Sequence, residues 1–181
     1  MSLIKVKGSS ITGALAAVDG SALTGISAGI TMCKQYRMTS DLVGDGDPVT
    51  NWEKVDSDGY GDIGSDMSES SGTWTFPQTG IFKIELTSNH QHSSNDKLIS
   101  SIIKTTTDNT TFNAAAESYT NLYVHDNVNF TNNHCSFIFD VTNTTTHKFR
   151  IEIDSEQSNT YSLASTNSNL TFITITRLGD T

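Results

Sequence analysis

Apolar residues fall at every second position along several stretches of this chain, a spacing that lines one face of a strand and does not serve a helix. The clearest stretch carries Phe149, Ile151 and Ile153 between Lys148, Arg150, Glu152 and Asp154. After Gly80, Phe82, Ile84 and Leu86 share a face, and Lys83 and Glu85 take the other. Trp74 and Phe76 alternate with threonines, and Phe137, Phe139 and Val141 repeat the pattern. Further strands are expected near Thr31–Arg37, Leu98–Lys104, Tyr119–Val124 and Leu170–Arg177. Ser, Thr and Asn make up roughly a third of the residues, well above ordinary usage, and suit short strands joined by polar turns. About eight strands so connected predict an all-β, antiparallel sandwich of jelly-roll type.

Two of these strands are apolar on both faces. Ile138 breaks the polar side of the Phe137/Phe139 strand, and the last strand sets Leu170 and Phe172 against Ile173 and Ile175. A sheet with one wet face should show water polar residues. The second apolar face is therefore expected to be covered by another copy of the chain, with Ile138, Ile173 and Ile175 as interface residues and Phe137, Phe139 and Phe172 toward the core.

Residues 1–30 read as a separate N-terminal arm ahead of a domain over residues 31–181. The arm lacks aromatics, and its apolar Ile11, Leu15, Val18 and Leu23 are interrupted by Gly13 and Gly20. Too short to hold structure alone, it is expected to attach the domain to a larger assembly, a flexible leader being the other reading. Ser9, Ser10 and Gly13 break the apolar stretch that a signal peptide needs, and no run approaches the ~20 apolar residues of a membrane helix. The N-x-Ser/Thr sequences at Asn109, Asn129, Asn143 and Asn169 then follow from composition. Cys33 and Cys135 lack any zinc-type spacing and are expected to be buried thiols. With Lys plus Arg at 11 against 20 Asp plus Glu, a net charge of -9, no basic cluster exists to bind nucleic acid.

Three sets of residues suggest chemistry. Asp56, Asp58 and Asp62, in Asp56-Ser-Asp-Gly-Tyr-Gly-Asp62, partly imitate a calcium loop, although Tyr60 and the missing closing Glu depart from an EF-hand. A solvated acidic turn is the other reading. His90 and His92 point the same way on an extended chain, so they suit either a shared transition metal, with three copies meeting at an axis, or an exposed loop. Tyr60, His90, His92 and His125 are expected together on long tip loops, where a carbohydrate ligand would bind. The loops 41–71, 88–96, 125–133 and 155–169 are assigned to that tip, and 77–80, 104–118 and 142–147 to the base beside the arm. Catalytic signatures such as GxSxG, a P-loop or HExxH are missing, and no catalytic residues are assigned.

The stretch Gly72-Thr-Trp-Thr-Phe-Pro-Gln-Thr-Gly-Ile-Phe-Lys-Ile84 resembles the central signature of C1q/TNF-like domains. Trp74 stands six residues before Gly80, which Phe82 follows, and Ile84 replaces the final aromatic. The resemblance implies a jelly roll that forms trimers around an inner sheet. The leader Gly13-Ala-Leu-Ala-Ala-Val-Asp-Gly-Ser-Ala-Leu-Thr-Gly25 and the ending Thr171-Phe-Ile-Thr-Ile-Thr-Arg-Leu-Gly-Asp180 are similar in style to virion proteins of tailed bacteriophages. That likeness implies a non-enzymatic homotrimer, a fibre tip or capsid decoration at the virion surface. It would be assembled in the host cytoplasm, bound to capsid or tail proteins through residues 1–30, and turned toward a host-surface glycan at its tip. A glycan-cleaving virion enzyme with two facing carboxylates and a secreted C1q-like ligand-binding domain are the alternatives.

Overall fold

The computed structural model describes residues 29–92, 97–122 and 128–181. They form strands β1 (Met32–Met38), β2 (Leu42–Val43), β3 (Trp52–Lys54), β4 (Ser68–Ser70), β5 (Thr73–Thr75) and β6 (Gly80–His92). After these come β7 (Lys97–Thr106), β8 (Asn113–Leu122), β9 (Asn129–Val141), β10 (Lys148–Ser155), β11 (Tyr161–Ser162) and β12 (Phe172–Gly179). All pairing is antiparallel and divides the strands into two sheets. In the first, β6 is the spine: β9 runs along one edge of it, while the other edge is taken first by β12 and then by β11. Beyond β12 lie β1 and β3, and beyond β11 lies β2. The second sheet has the order β4-β5-β10-β7-β8.

Each expected strand is present over the described residues, residues 123–124 of the Tyr119–Val124 expectation lying outside them, and the short strands β2, β3, β4 and β11 are additional. The β4–β5 hairpin shows how local sequence sets register. Ser70 pairs with Thr73, so Ser71-Gly72 is a two-residue turn. Both its residues are left-handed, with φ of 49° and 78°, which is the type I′ requirement that Gly meets without strain. A Cβ at Gly72 would also lie 2.6 Å from the Pro48 ring.

The core lies between the sheets. Trp74 stacks on Phe149 at 5.7 Å with rings 6° apart. Tyr36 packs on Trp74 from the first sheet, and Phe76 is ringed by Phe82, Phe139 and Phe149. Ile84, Leu86, Ile99, Ile103, Ile151 and Ile153 belong to the same cluster.

Pairing corrects the facing of the last strand. Residues opposite each other in an antiparallel ladder share a face. Ile175 pairs with Ile84 and Ile173 with Leu86, so both follow their partners into the core. Ile173 and Ile175 are thus core residues, not interface residues, and Phe172, opposite Thr87, faces out half-buried. Ile138, opposite Lys83, does face out and is 59% exposed.

A second correction concerns the loops. Residues 88–92 and 129–133 continue β6 and β9 instead of forming tip loops, and most of 104–118 is strand, with the base loop confined to 107–112. The segment after β3 also leaves the tip: it runs back along β1 until Ile63 bridges Cys33, which moves Asp62 and Asp66 toward the base.

Candidate functional site

The inward face of β6 changes character along its length. After Phe82, Ile84 and Leu86 it continues, still alternating, as Ser88, His90 and His92, all essentially inaccessible. Between the sheets at the tip these side chains meet Ser101, Asn133, Ser155, Thr160 and Ser162, all buried. Most of these groups pair with one another, and Asn133 Oδ1 alone among those named is buried without a hydrogen-bond partner. His90 Nδ1 lies 2.9 Å from the Ser162 hydroxyl, and Nε2 lies 3.1 Å from that of Ser88 and 3.2 Å from that of Ser101. Ser88 and Ser101 are 2.6 Å apart, and Asn133 Nδ2 donates to the Ile99 carbonyl at 3.1 Å. A polar interior is tolerated when its members are paired in this way. Burial pushes the His90 imidazole down to about 4, so it is neutral at ordinary pH.

This placement overturns the expectation of exposed tip histidines. His90 and His92 face the inside of their own sandwich and cannot meet copies of themselves at an external axis. His125 and the arm residues Ile11, Leu15, Val18 and Leu23 lie outside the described residues.

The acidic segment serves the chain's own cations. Lys34 faces inward on β1, 3% exposed, and donates to Asp62 at 2.6 Å while Asp66 lies at 2.9 Å. Lys54 joins the same two carboxylates from outside. Burial works to lower the Lys34 pKa, but its hydrogen bonds to Asp62 and Asp66 outweigh that and raise it. Asp62 and Asp66 are both lowered, chiefly by the Lys34 hydrogen bond. Higher on β1, Arg37 is 1% exposed and binds Glu53 at 2.7 Å, Asp56 at 2.8 Å and the Ser57 hydroxyl at 2.7 Å. Asp56, Asp58 and Asp62 therefore do not converge as a calcium loop would require. Among the described residues no group of three or more His, Cys, Asp and Glu is arranged to hold a metal ion. Tyr60 lies beside the middle of β1, where its hydroxyl accepts the Gln35 N–H at 2.8 Å. Cys33 and Cys135 are free thiols, Cys135 buried and Cys33 partly so.

The structure instead exposes a surface that sequence reasoning saw only in part. On the outer face of the first sheet, Phe130 pairs across Gln91 with Tyr161, and Tyr161 with Val43. These four form one transverse row at the tip. Phe130 is 67% exposed, Val43 50% and Tyr161 41%. Below the row, Asn89, Asn132, Leu163 and Leu170 join Phe130 around a groove of about 600 Å³. Toward the base Ile138 stands out beside Lys83, its cross-strand partner, and Glu85, one step nearer the tip on the same face, pairs with Lys83 at 2.7 Å. A lone Phe in Asn129-Phe-Thr-Asn-Asn gives little signal. Only the register shows that it aligns with Tyr161 and Val43.

The sheet orders also fix what this chain is like. No family model matches it, and no curated protein matches it in sequence. Among solved structures it superposes on Eiger TNF from S. frugiperda with a TM-score of 0.61 at 11% identity, covering 85% of this chain and 96% of that one. Murine APRIL at pH 5.0 gives a TM-score of 0.60 at 10% identity, covering 81% and 98%. The chain has the TNF-like jelly-roll fold. At these identities the likeness concerns architecture alone. It agrees with the C1q/TNF resemblance of Trp74, Gly80 and Phe82, and it adds no support for the bacteriophage resemblance of the leader and ending.

Proposed function

We propose that this TNF-like domain is a non-enzymatic, self-associating module, a trimer built through the part of its first sheet's outer face that β9, β6, β11 and β2 form, away from β1. The observation that carries this reading is the exposed row Phe130, Tyr161 and Val43 above the apolar groove, with Ile138 on the same face. Exposed apolar side chains gathered on one face of a domain mark an interaction site, and a closed ring of copies would remove them from water. The non-enzymatic part is supported by the commitments of the candidate groups: His90 and His92 are enclosed, and Asp56 and Asp62 are paired with Arg37 and Lys34.

The test is light scattering at micromolar concentration. The wild type should weigh about three times the 19.6 kDa chain, and Phe130→Asp should weigh one chain, because an unpaired charge in an apolar interface costs several kcal/mol. A monomeric wild type would overturn the proposal.

A narrower reading makes the module a virion surface appendage, displayed by residues 1–30 and in contact with the host. Its support is the style of the leader and the ending. A labelled antibody against the domain should decorate intact particles, and bare particles would refute this reading while leaving self-association standing.

A further inference from the structure

We infer that a polar pocket beside β1 binds a neutral saccharide ring. The pocket, about 340 Å³, opens on the outer face of the first sheet, between the segment that follows β3 and the one that precedes β12. Its volume falls at the small end of small-molecule sites, about 300–1,000 Å³. It shares no lining residue with the apolar groove.

Its wall presents a mixed set of hydrogen-bonding groups whose own partners leave capacity over. The Tyr60 hydroxyl accepts from Gln35 N–H and keeps its proton to donate. Asn169 Nδ2 donates to Gln35 Oε1 at 3.1 Å, which leaves Asn169 Oδ1 as an acceptor. Asn167 is held by its backbone, with its carbonyl accepting from Ser57, and its side-chain amide takes no partner among the described residues. The Asp58 carboxylate likewise takes none. The lining thus holds both donors and acceptors, with the Tyr60 ring among them. A sugar hydroxyl is both donor and acceptor, and its ring presents C–H groups to an aromatic face.

Charge narrows the ligand further. The one cation lining the pocket, Arg37, is already held by Glu53 and Asp56. Asp58 then leaves the site net negative, so an anionic sugar or a phosphate is repelled. The floor is rigid because the guanidinium is clamped at three points, by Glu53, Asp56 and Ser57. A preformed floor of this kind lowers the ordering cost of a weak ligand. The pocket adds a ligand class to the host-contact reading, yet binding of a free glycoside is measured without particle or host and fails or succeeds independently of it.

The experiment is saturation-transfer NMR on the full chain with the methyl glycosides of glucose, galactose, mannose and N-acetylglucosamine, and N-acetylneuraminic acid as the anionic probe. At least one neutral glycoside should receive transfer and the anionic sugar should not. Asn167→Ala, an exposed change, should weaken the neutral ligand roughly ten-fold with unchanged thermal unfolding. Asp58→Asn, suited to that residue's φ of 56°, should narrow the gap between neutral and anionic sugars. Transfer to none of the neutral glycosides, preference for the anionic one, or wild-type affinity in Asn167→Ala would each overturn the inference.

Discussion

His90 shows how one residue makes stability depend on pH. Its imidazole is held at about 4 by burial, whereas in the unfolded chain it titrates near 6.5. The folded value is the lower one, so the unfolded state binds the proton first as pH falls. The stability that the neutral ring supports is complete above about pH 6.5 and is lost progressively down to the folded value. Between pH 7 and pH 4 the loss from this group is about 3 kcal/mol. Urea unfolding at the two pH values should show that slope, and His90→Gln, which does not titrate, should remove it. A slope unchanged in the variant would assign the acid sensitivity to other groups. Asp62 and Asp66, whose values are lowered, lose their contribution only at more acidic pH, below the ordinary carboxylate range.

At the scale of elements, the segment between β3 and β4 closes one open side of the sandwich. Lys34 reaches from the inner face of β1 to that side and fastens the segment through Asp62 and Asp66. The two ends of this link differ in exposure, the lysine at 3% and Asp66 at 54%. Removing the carboxylates strands a buried ammonium, while removing the ammonium leaves carboxylates that water and Lys54 still serve. Lys34→Met is therefore expected to lower the unfolding temperature less than the double change Asp62→Ala/Asp66→Ala, which leaves the enclosed ammonium without a carboxylate; thermal unfolding of the two variants decides. The same segment marks where sequence reading reached its end. Its acidic density is plain in the sequence, but the partners are Lys34 and Arg37 on β1, brought together by the fold alone. The apolar strands were legible because Phe82, Ile84 and Leu86 or Phe149, Ile151 and Ile153 announce their face. The continuation of β6 through Ser88, His90 and His92 keeps the same period with polar side chains, which imitates a loop. β8 begins with Asn113 and three alanines, a run of weak strand preference held by its pairing with β7. Two apolar faces on β12 were visible, but which faced the core depended on its register with Ile84 and Leu86.

The whole molecule has a directed layout. Strand pairing sets Met32 opposite Arg177 and Gly80 opposite Val141 at the base, so the first described residues and the last lie at one end. The row of Phe130, Tyr161 and Val43 lies at the other. An assembly carried by its N-terminal side would present that end outward, and Phe130→Asp tests its role in joining copies. The interior follows the same axis: aromatic and aliphatic around Trp74 and Phe149 below, and hydroxyl, imidazole and amide around His90 above. The two halves are held by forces with opposite responses to cooling. Apolar burial weakens as water is cooled, because its driving force is largely entropic and carries a large heat capacity. A hydrogen-bonded interior exposes polar surface on opening, which lowers heat capacity instead. A single strand, β6, thus crosses from a region whose cohesion fades in the cold to one whose cohesion does not.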